Sequence, residues 1–411
     1  AKHAWGNTEL KDLLVELEAT SGRDLSSWTK TWLQTAGVNT FRPELKINND
    51  KYSEIAVIQE APLVPEGSKE LRPHRMAVGL YDVKNGKLER RKSVELDVTG
   101  ARTLITELIG EPVADLLLIN DHDLTYGKIR FDERSINTLK THLGDITDSL
   151  TRALCWSAAW DMHRDGELSA TDYTEIVLNA LGKESEASVI NAQLTNLESS
   201  VEVYSSPKNR EKLRARRSNG LYQLATTAKP GSDEQLALVK GFAAGATKVD
   251  APKIQEILDG KLSGLTVDTE MRWSLIKALT EHGIFGQSEI DSELKRDNTA
   301  DGVRHGAEAR ALIPTEENKD QIWRELTTNN LSNHIQRHIL IGVNRPSQQE
   351  LWSPYVDKYF EIVRRMWDEN SYEIALQFAS LAFPRYAASN ENLAKAEKWI
   401  ADNGDASDGV K

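Results

Sequence analysis

The chain has 411 residues, enough for two or three domains, and its 39% hydrophobic and 28% charged residues are ordinary for a globular protein. Its 63 acids against 51 Lys plus Arg leave a net charge of −12, which argues against nucleic acid as a partner, because that binding needs a basic surface to displace counterions. The single cysteine, Cys155, excludes an internal disulfide framework and a Cys-based zinc site and suggests a reducing, cytoplasmic setting; no apolar run reaches the roughly 18 residues of a membrane helix.

The chain opens on AKHAWGN, without Met or a signal peptide, and is expected to be a piece of a longer protein. Residues 1–40 read as two helices. Leu10, Leu13, Leu14 and Leu17 recur at i, i+3, i+4 and i+7, with Asn7 available as a cap and Gly22 as a stop. Asp24 caps a second helix carrying Leu25, Trp28, Trp32 and Leu33, which Gly37 closes. Trp28 and Trp32 are one turn apart, and the spacing predicts both packed in a core.

Residues 41–120 change character. KYSEIAVIQEA, HRMAVGLYDV and RKSVELDVTG are short strand-like runs, and Asn85 followed by Gly86 marks a two-residue hairpin between two of them. VADLLLI at 113–119 reads as a buried strand, so a β-sandwich is expected over 41–120. From about 132 onward the apolar residues follow a helical period nearly to the end. Many helices with short Gly, Pro, Asn or Asp breaks suggest stacked helical pairs, an α-solenoid or superhelix over 121–402. No fixed-period sequence repeat is visible. The fold class is therefore mostly α with a small antiparallel β-sandwich, and 403–411 is a polar tail expected to be flexible.

Three places invite chemistry. INDHDLTYGKIRFDERS at 119–135 gathers Asp121, His122, Asp123, Asp132 and Glu133 behind a buried strand. As a calcium loop starting at Asp121 it fails: Thr125 and Tyr126 stand at the fifth and sixth positions, Gly127 is one residue late, and the twelfth position is Asp132. Turn chemistry, with Asp132 or Ser135 capping the next helix, is the better reading. HIQRH at 334–338 puts His334 and His338 on one helix face, and Asp357 follows where one class of zinc peptidase keeps its third ligand. Hydrolysis there needs HExxH, with Glu as general base, and Ile335 occupies that position, so surface or capping histidines are expected and no metal ligand is assigned. Cys155, within LTRALCWSAAW, reads as a buried inert thiol, and the basic run KNREKLRARR at 208–217 as a solvated helix face. No GxxxxGK[ST], GxGxxG or GxSxG occurs.

Gly6, Asn7, Leu10, Asp12 and Leu13, then Ser21 to Leu25 with Trp28, then Trp32, Leu33 and Gly37, resemble the end of the catalytic domain in zinc aminopeptidases of the aminopeptidase N family, in its actinobacterial form. Asn120, Asp123, Tyr126, Asp132 and Ser135 resemble that family's passage into its C-terminal helical domain, and Trp156, Trp160, Asp161, Arg164, Asp165 and Gly166 its next helices. The resemblance covers essentially the whole chain. It implies that 1–40 are the last helices of a thermolysin-like catalytic domain, 41–120 a β-sandwich and 121–402 the helical superhelix. The parent would then be a zinc-dependent enzyme that releases N-terminal residues from peptides. The family's GxMEN loop, HExxH, downstream Glu ligand and catalytic Tyr match nothing here, so the resemblance carries no catalytic, cofactor-binding or metal-binding residue onto this chain. It further implies that the helical region encloses the substrate chamber and meets peptides on its concave face, that the chain's partner is its own catalytic domain, and that the chain alone is inactive. Cut from that domain, the apolar face of 1–40 is expected to pair two copies. The competing expectation is a free-standing α-solenoid scaffold that binds protein partners.

Overall fold

The computed structural model describes residues 3–64, 68–328 and 331–411. Two units form, Ala1–Lys183 and Glu184–Lys411.

The first unit begins with α1 (Leu10–Ser21) and α2 (Ser26–Leu33). α1 starts at a capping box rather than at Asn7: the Glu9 amide donates to the Asp12 carboxylate at 2.9 Å. Gly22, at φ 66°, ends it in the left-handed conformation that glycine tolerates best. Asp24 accepts the Ser26 amide at 2.9 Å at the start of α2. α1 buries no residue, and Leu10, Leu13, Val15 and Leu17 are exposed.

The expected core pair of tryptophans is half right. Trp28 is 41% exposed. α2 has eight residues and is held through its C-terminal end, one turn beyond Trp28. There Trp32 meets His74 edge-on, 4.9 Å between ring centroids, with the Arg72 guanidinium over its ring. Arg72 is buried and donates to the Thr31 and Ala36 carbonyls and the Thr35 hydroxyl, which locks that end of the helix in place.

Seven strands follow among the described residues: β1 (Thr40–Asn48), β2 (Lys51–Glu60), β3 (His74–Lys84), β4 (Lys87–Val98), β5 (Arg102–Leu104), β6 (Leu116–Ile119) and β7 (Lys128–Ile129). They form one sheet in the order β5-β2-β1-β7 and a second in the order β4-β3-β6. Asn85 and Gly86, at φ 52° and 75°, make the β3–β4 turn, as the sequence predicts. Asn49 and Asp50, at φ 52° and 56°, make the same kind of turn between β1 and β2. All four residues of β6 are buried, in keeping with its unbroken apolar run. β7 pairs parallel with β1, so the first sheet draws on chain beyond residue 120.

Three helices complete this unit: α3 (Glu133–His142), α4 (Ser149–Arg164) and α5 (Ala170–Ala180). Asp132 caps α3, accepting the Ser135 amide at 3.1 Å, and the Ser135 hydroxyl in turn accepts the Leu117 amide of β6 at 3.0 Å. After α4, Gly166 at φ 81° reverses the chain, and Asp165 and Glu167 on either side accept from the buried Arg130.

The second unit contains, among its described residues, α6 (Ala187–Ser199), α7 (Pro207–Thr227), α8 (Asp233–Ala244), α9 (Ala251–Leu258), α10 (Thr269–Glu281), α11 (Gln287–Arg296), α12 (Ala300–Ala311), α13 (Glu316–Thr327), α14 (Asn333–Val343), α15 (Gln349–Trp352), α16 (Tyr355–Glu369), α17 (Tyr372–Leu381) and α18 (Asn390–Asp402). α8, α10, α12, α14 and α17 contact one another in that order. α7, α9 and α16 each pack on one of them and α11 and α13 on two, which gives successive helical pairs. α12 and α14 come close because Gly342 lies against the Glu308 carbonyl, where a Cβ would sit at 2.4 Å. The buried ammonium of Lys319 donates to the Ala311 carbonyl at 2.6 Å and closes the end of α12; burial lowers it to about 7. In the expected tail, Ala406 is buried and Val410 packs on the cluster around Trp352 and Phe378.

Candidate functional site

The acid cluster at 121–133 is a folding device. Asn120 and Asp123, at φ 63° and 53°, fold the loop back on itself. The Asn120 side chain donates to the Thr125 carbonyl at 2.9 Å and accepts the Thr125 amide at 3.2 Å. This reversal sends the Asp121 carboxylate inward, where it has no exposed surface. It accepts from the Tyr81 hydroxyl and, at 3.2 Å, from the Ser93 hydroxyl; the Arg90 guanidinium lies 3.4 Å away and His122 3.6 Å. Gly79 makes the room, since a Cβ there would lie 2.6 Å from the Asp121 carboxyl carbon. Burial, and then the Asp121 carboxylate, push the Tyr81 phenol up, so it stays a proton donor. Its oxygen is also 3.2 Å from the Thr151 hydroxyl on α4, which donates to Asp148 at 2.7 Å. Cys155 is fully buried in the same unit, and burial pushes its thiol far up, which leaves it inert.

The two histidines and the aspartate that resemble a zinc set do not converge. His334 is exposed at the start of α14. His338 pairs through Nδ1 with Glu308 at 3.1 Å, and Asp357 pairs with Lys395 at 2.7 Å. Asp357 is matched by a cation, which competes with a metal for that carboxylate. Among the described residues no group of three or more His, Cys, Asp or Glu is arranged to hold a metal ion.

The basic run at 208–217 departs from its expected role. Arg217 is buried and Arg214 nearly so, because α6 ends in a π-helical turn, Ser200–Tyr204, that turns the buried Glu202 toward them. Such turns widen the backbone locally and recur at functional sites. Glu202 accepts from Arg214 at 2.6 and 3.0 Å and from Arg217 at 3.0 Å. Glu198, one turn earlier, accepts from Arg217 through Oε2 at 2.8 Å. Arg217 also donates to the Gly245 carbonyl at 2.8 Å, and only glycine leaves space for it there. Nearby, Glu281 accepts from Arg345 at 3.0 Å and from the Ser347 hydroxyl, while Arg345 reaches the Ala244 carbonyl at 3.1 Å.

This charged cluster borders a cavity of about 520 Å³. Leu194, Val203, Ala237, Gly241 and Ala244 form its apolar wall. Glu202 is buried and Glu198 half-buried beneath it, while Lys240 and Arg385 line its exposed edge with Tyr386. Two smaller cavities, about 240 and 200 Å³, adjoin Glu281 and Arg345. Burial pushes Glu202 up, but Arg214 and Arg217 outweigh that and hold it below the usual carboxylate range. Glu198 goes the other way. Burial raises it, Arg217 and Arg345 oppose, and Glu202 and Glu281 add to the rise. Its side chain is still 32% open and lines the cavity. Among the described residues, Glu198 Oε1 has no hydrogen bond, and neither Lys240 nor Arg385 pairs with a carboxylate. The site is suited to holding a charged ligand.

None of Glu198, Glu202, Lys240, Glu281, Arg345 or Arg385 stands out in the sequence. One signal was available: Arg214 and Arg217 are three apart and share a helix face, as buried partners of one acid must.

Residues 116–410 match the family model described as ERAP1-like C-terminal domain. Over 409 residues the chain is 43% identical to Aminopeptidase N of Streptomyces lividans, covering 97% of this chain and 48% of that protein. It is 23% identical over 411 residues to Tricorn protease-interacting factor F2 of Thermoplasma volcanium, covering 97% of this chain and 47% of that one. The chain thus spans about half the length of the curated relatives it matches. The crystal structure of Legionella pneumophila aminopeptidase A in complex with aspartic acid shares the fold, with a TM-score of 0.53 at 14% identity over 97% of this chain and 52% of that one.

Proposed function

The chain belongs to the family of ERAP1-like C-terminal domains, and from that premise we propose that it serves as the C-terminal region of a zinc-dependent aminopeptidase N. In this reading the zinc and the catalytic residues are supplied by another part of the enzyme. The helical region bounds the chamber in which peptides lose their N-terminal residues, and the cavity beside the π-helical turn receives the far end of the peptide. The observation that carries the reading is the pair of cations at that cavity's edge. Lys240 and Arg385 have no carboxylate partner among the described residues, and they suit the terminal carboxylate of a peptide. The 43% identity to an aminopeptidase N supports the catalytic side of the reading.

The test is a chimera in which this chain replaces the matching half of the Streptomyces lividans relative. The chimera is expected to release N-terminal residues in a zinc-dependent manner, and this chain alone is expected to release none. Zinc-dependent hydrolysis by the isolated chain, or a folded chimera without activity, would overturn the reading.

A further inference from the structure

We propose that the cavity beside the π-helical turn selects a basic side chain, a guanidinium or alkylammonium group, which pairs with Glu198 while the same ligand presents a carboxylate to Lys240 and Arg385. The inference rests on the peptide-binding role proposed for this unit and adds the chemical class of residue that the site prefers.

The cavity brings both signs of charge together. Its lining carries the half-buried carboxylate of Glu198 and the buried one of Glu202, together with the exposed cations Lys240 and Arg385. A ligand that matches both signs carries a cation and an anion, joined by an aliphatic stem that suits the apolar wall. A lysine or arginine side chain on a residue with a free carboxylate has that order of groups. The stem would lie along Leu194 and Val203, which form part of the apolar wall.

The two acids are unequal. Glu202 has two arginines of its own. Glu198 shares one arginine, Arg217, with Glu202 and the Gly245 carbonyl, and keeps Oε1 unbonded among the described residues. A half-buried carboxylate in that position gains from an added cation and loses when a neutral group excludes water from it. An acidic side chain would meet two carboxylates at once. The volume of about 520 Å³ accommodates a residue of this size with its neighbours.

The ligand could be the end of a peptide or a free basic amino acid, and one titration series separates them. The full chain is titrated calorimetrically with Ala-Ala-Arg, with Ala-Ala-norleucine, with amidated Ala-Ala-Arg and with free L-arginine. Ala-Ala-Arg is expected to bind at least about tenfold tighter than the norleucine peptide, the size of effect a buried charge pair gives. In Glu198→Gln that preference is expected to vanish, while the preference for free carboxylate over amide remains. Binding of L-arginine at the strength of the tripeptide would identify the free amino acid as the ligand, and weak binding of it would identify the peptide end; both support the site. Equal affinity for the arginine and norleucine peptides in the unmodified chain overturns the proposal whether or not Glu198→Gln folds. If that equality comes with an intact acid-over-amide preference, the peptide-binding role survives and the basic preference alone is lost. Absence of binding by every probe overturns both.

Discussion

Each unit buries acids next to arginine, and the two sites differ in what surrounds them. In the first unit Asp121 has two hydroxyl donors, with Arg90 and His122 alongside, and no exposed surface. In the second, Glu198 keeps a free oxygen and about a third of its side chain faces a cavity. A buried carboxylate whose neighbours fill its coordination holds a fold together. One that is left partly unpaired beside open space is a place for a ligand. The conspicuous acids of the sequence therefore turn out to be the structural ones, and the candidate binding acids lie in an unremarkable helical stretch.

The largest expected effect lies in the first unit. Asp121→Ala leaves the Tyr81 and Ser93 hydroxyls without their acceptor, and urea unfolding of that unit should show a loss of about 3 kcal/mol or more, as for two hydrogen bonds to a buried charged group. A loss below about 1 kcal/mol, the value for an ordinary hydrogen bond, would erase the contrast between the two sites. Glu202→Gln should cost the second unit less, roughly 2–3 kcal/mol, because Arg214 keeps Glu211 and Arg217 keeps Glu198.

A third effect depends on pH. Burial, with Arg72 adding to it, lowers His74 to about 4 from its ordinary 6.5. The unfolded chain then takes up a proton below pH 6.5 that the folded unit refuses, so stability falls as pH drops from 6.5 toward 4, and this group adds no further loss below that. The melting temperature of the first unit should fall across that window, and the fall should shrink in His74→Gln; an unchanged slope in the variant would exclude His74 as the cause. The smallest effect on stability belongs to Lys240→Ala, within about 0.5 kcal/mol because the side chain is exposed and unpaired. The same variant should weaken binding of a peptide with a free carboxylate, and a change in stability without a change in binding would move Lys240 from the site to the scaffold.

Legibility in the sequence followed the range of the interaction. Asn85 with Gly86, the all-apolar run of β6, and Asp132 at the start of α3 were readable because each acts within a few residues. HIQRH is an equally local pattern: Ile335 stands where zinc hydrolysis needs a glutamate, and His338 pairs through Nδ1 with Glu308. Trp28 misled, because helical spacing says which residues share a face and not whether anything covers it. Glu198, Glu202, Glu281 and Arg345 were invisible, since they meet only when α6, α10 and the segment after α14 come together. The π-helical turn that aims Glu202 has no sequence signature comparable to a cap or a hairpin.

The most direct test of the account is the kinetics of the Streptomyces lividans chimera, with and without Lys240→Ala and Arg385→Ala, on one peptide ending in a carboxylate and on its amide. The account predicts zinc-dependent release of the N-terminal residue, a kcat/KM that favours the carboxylate form, and loss of that preference in the double variant with activity on the amide unchanged. An active chimera that treats acid and amide alike, before and after the substitutions, would contradict it.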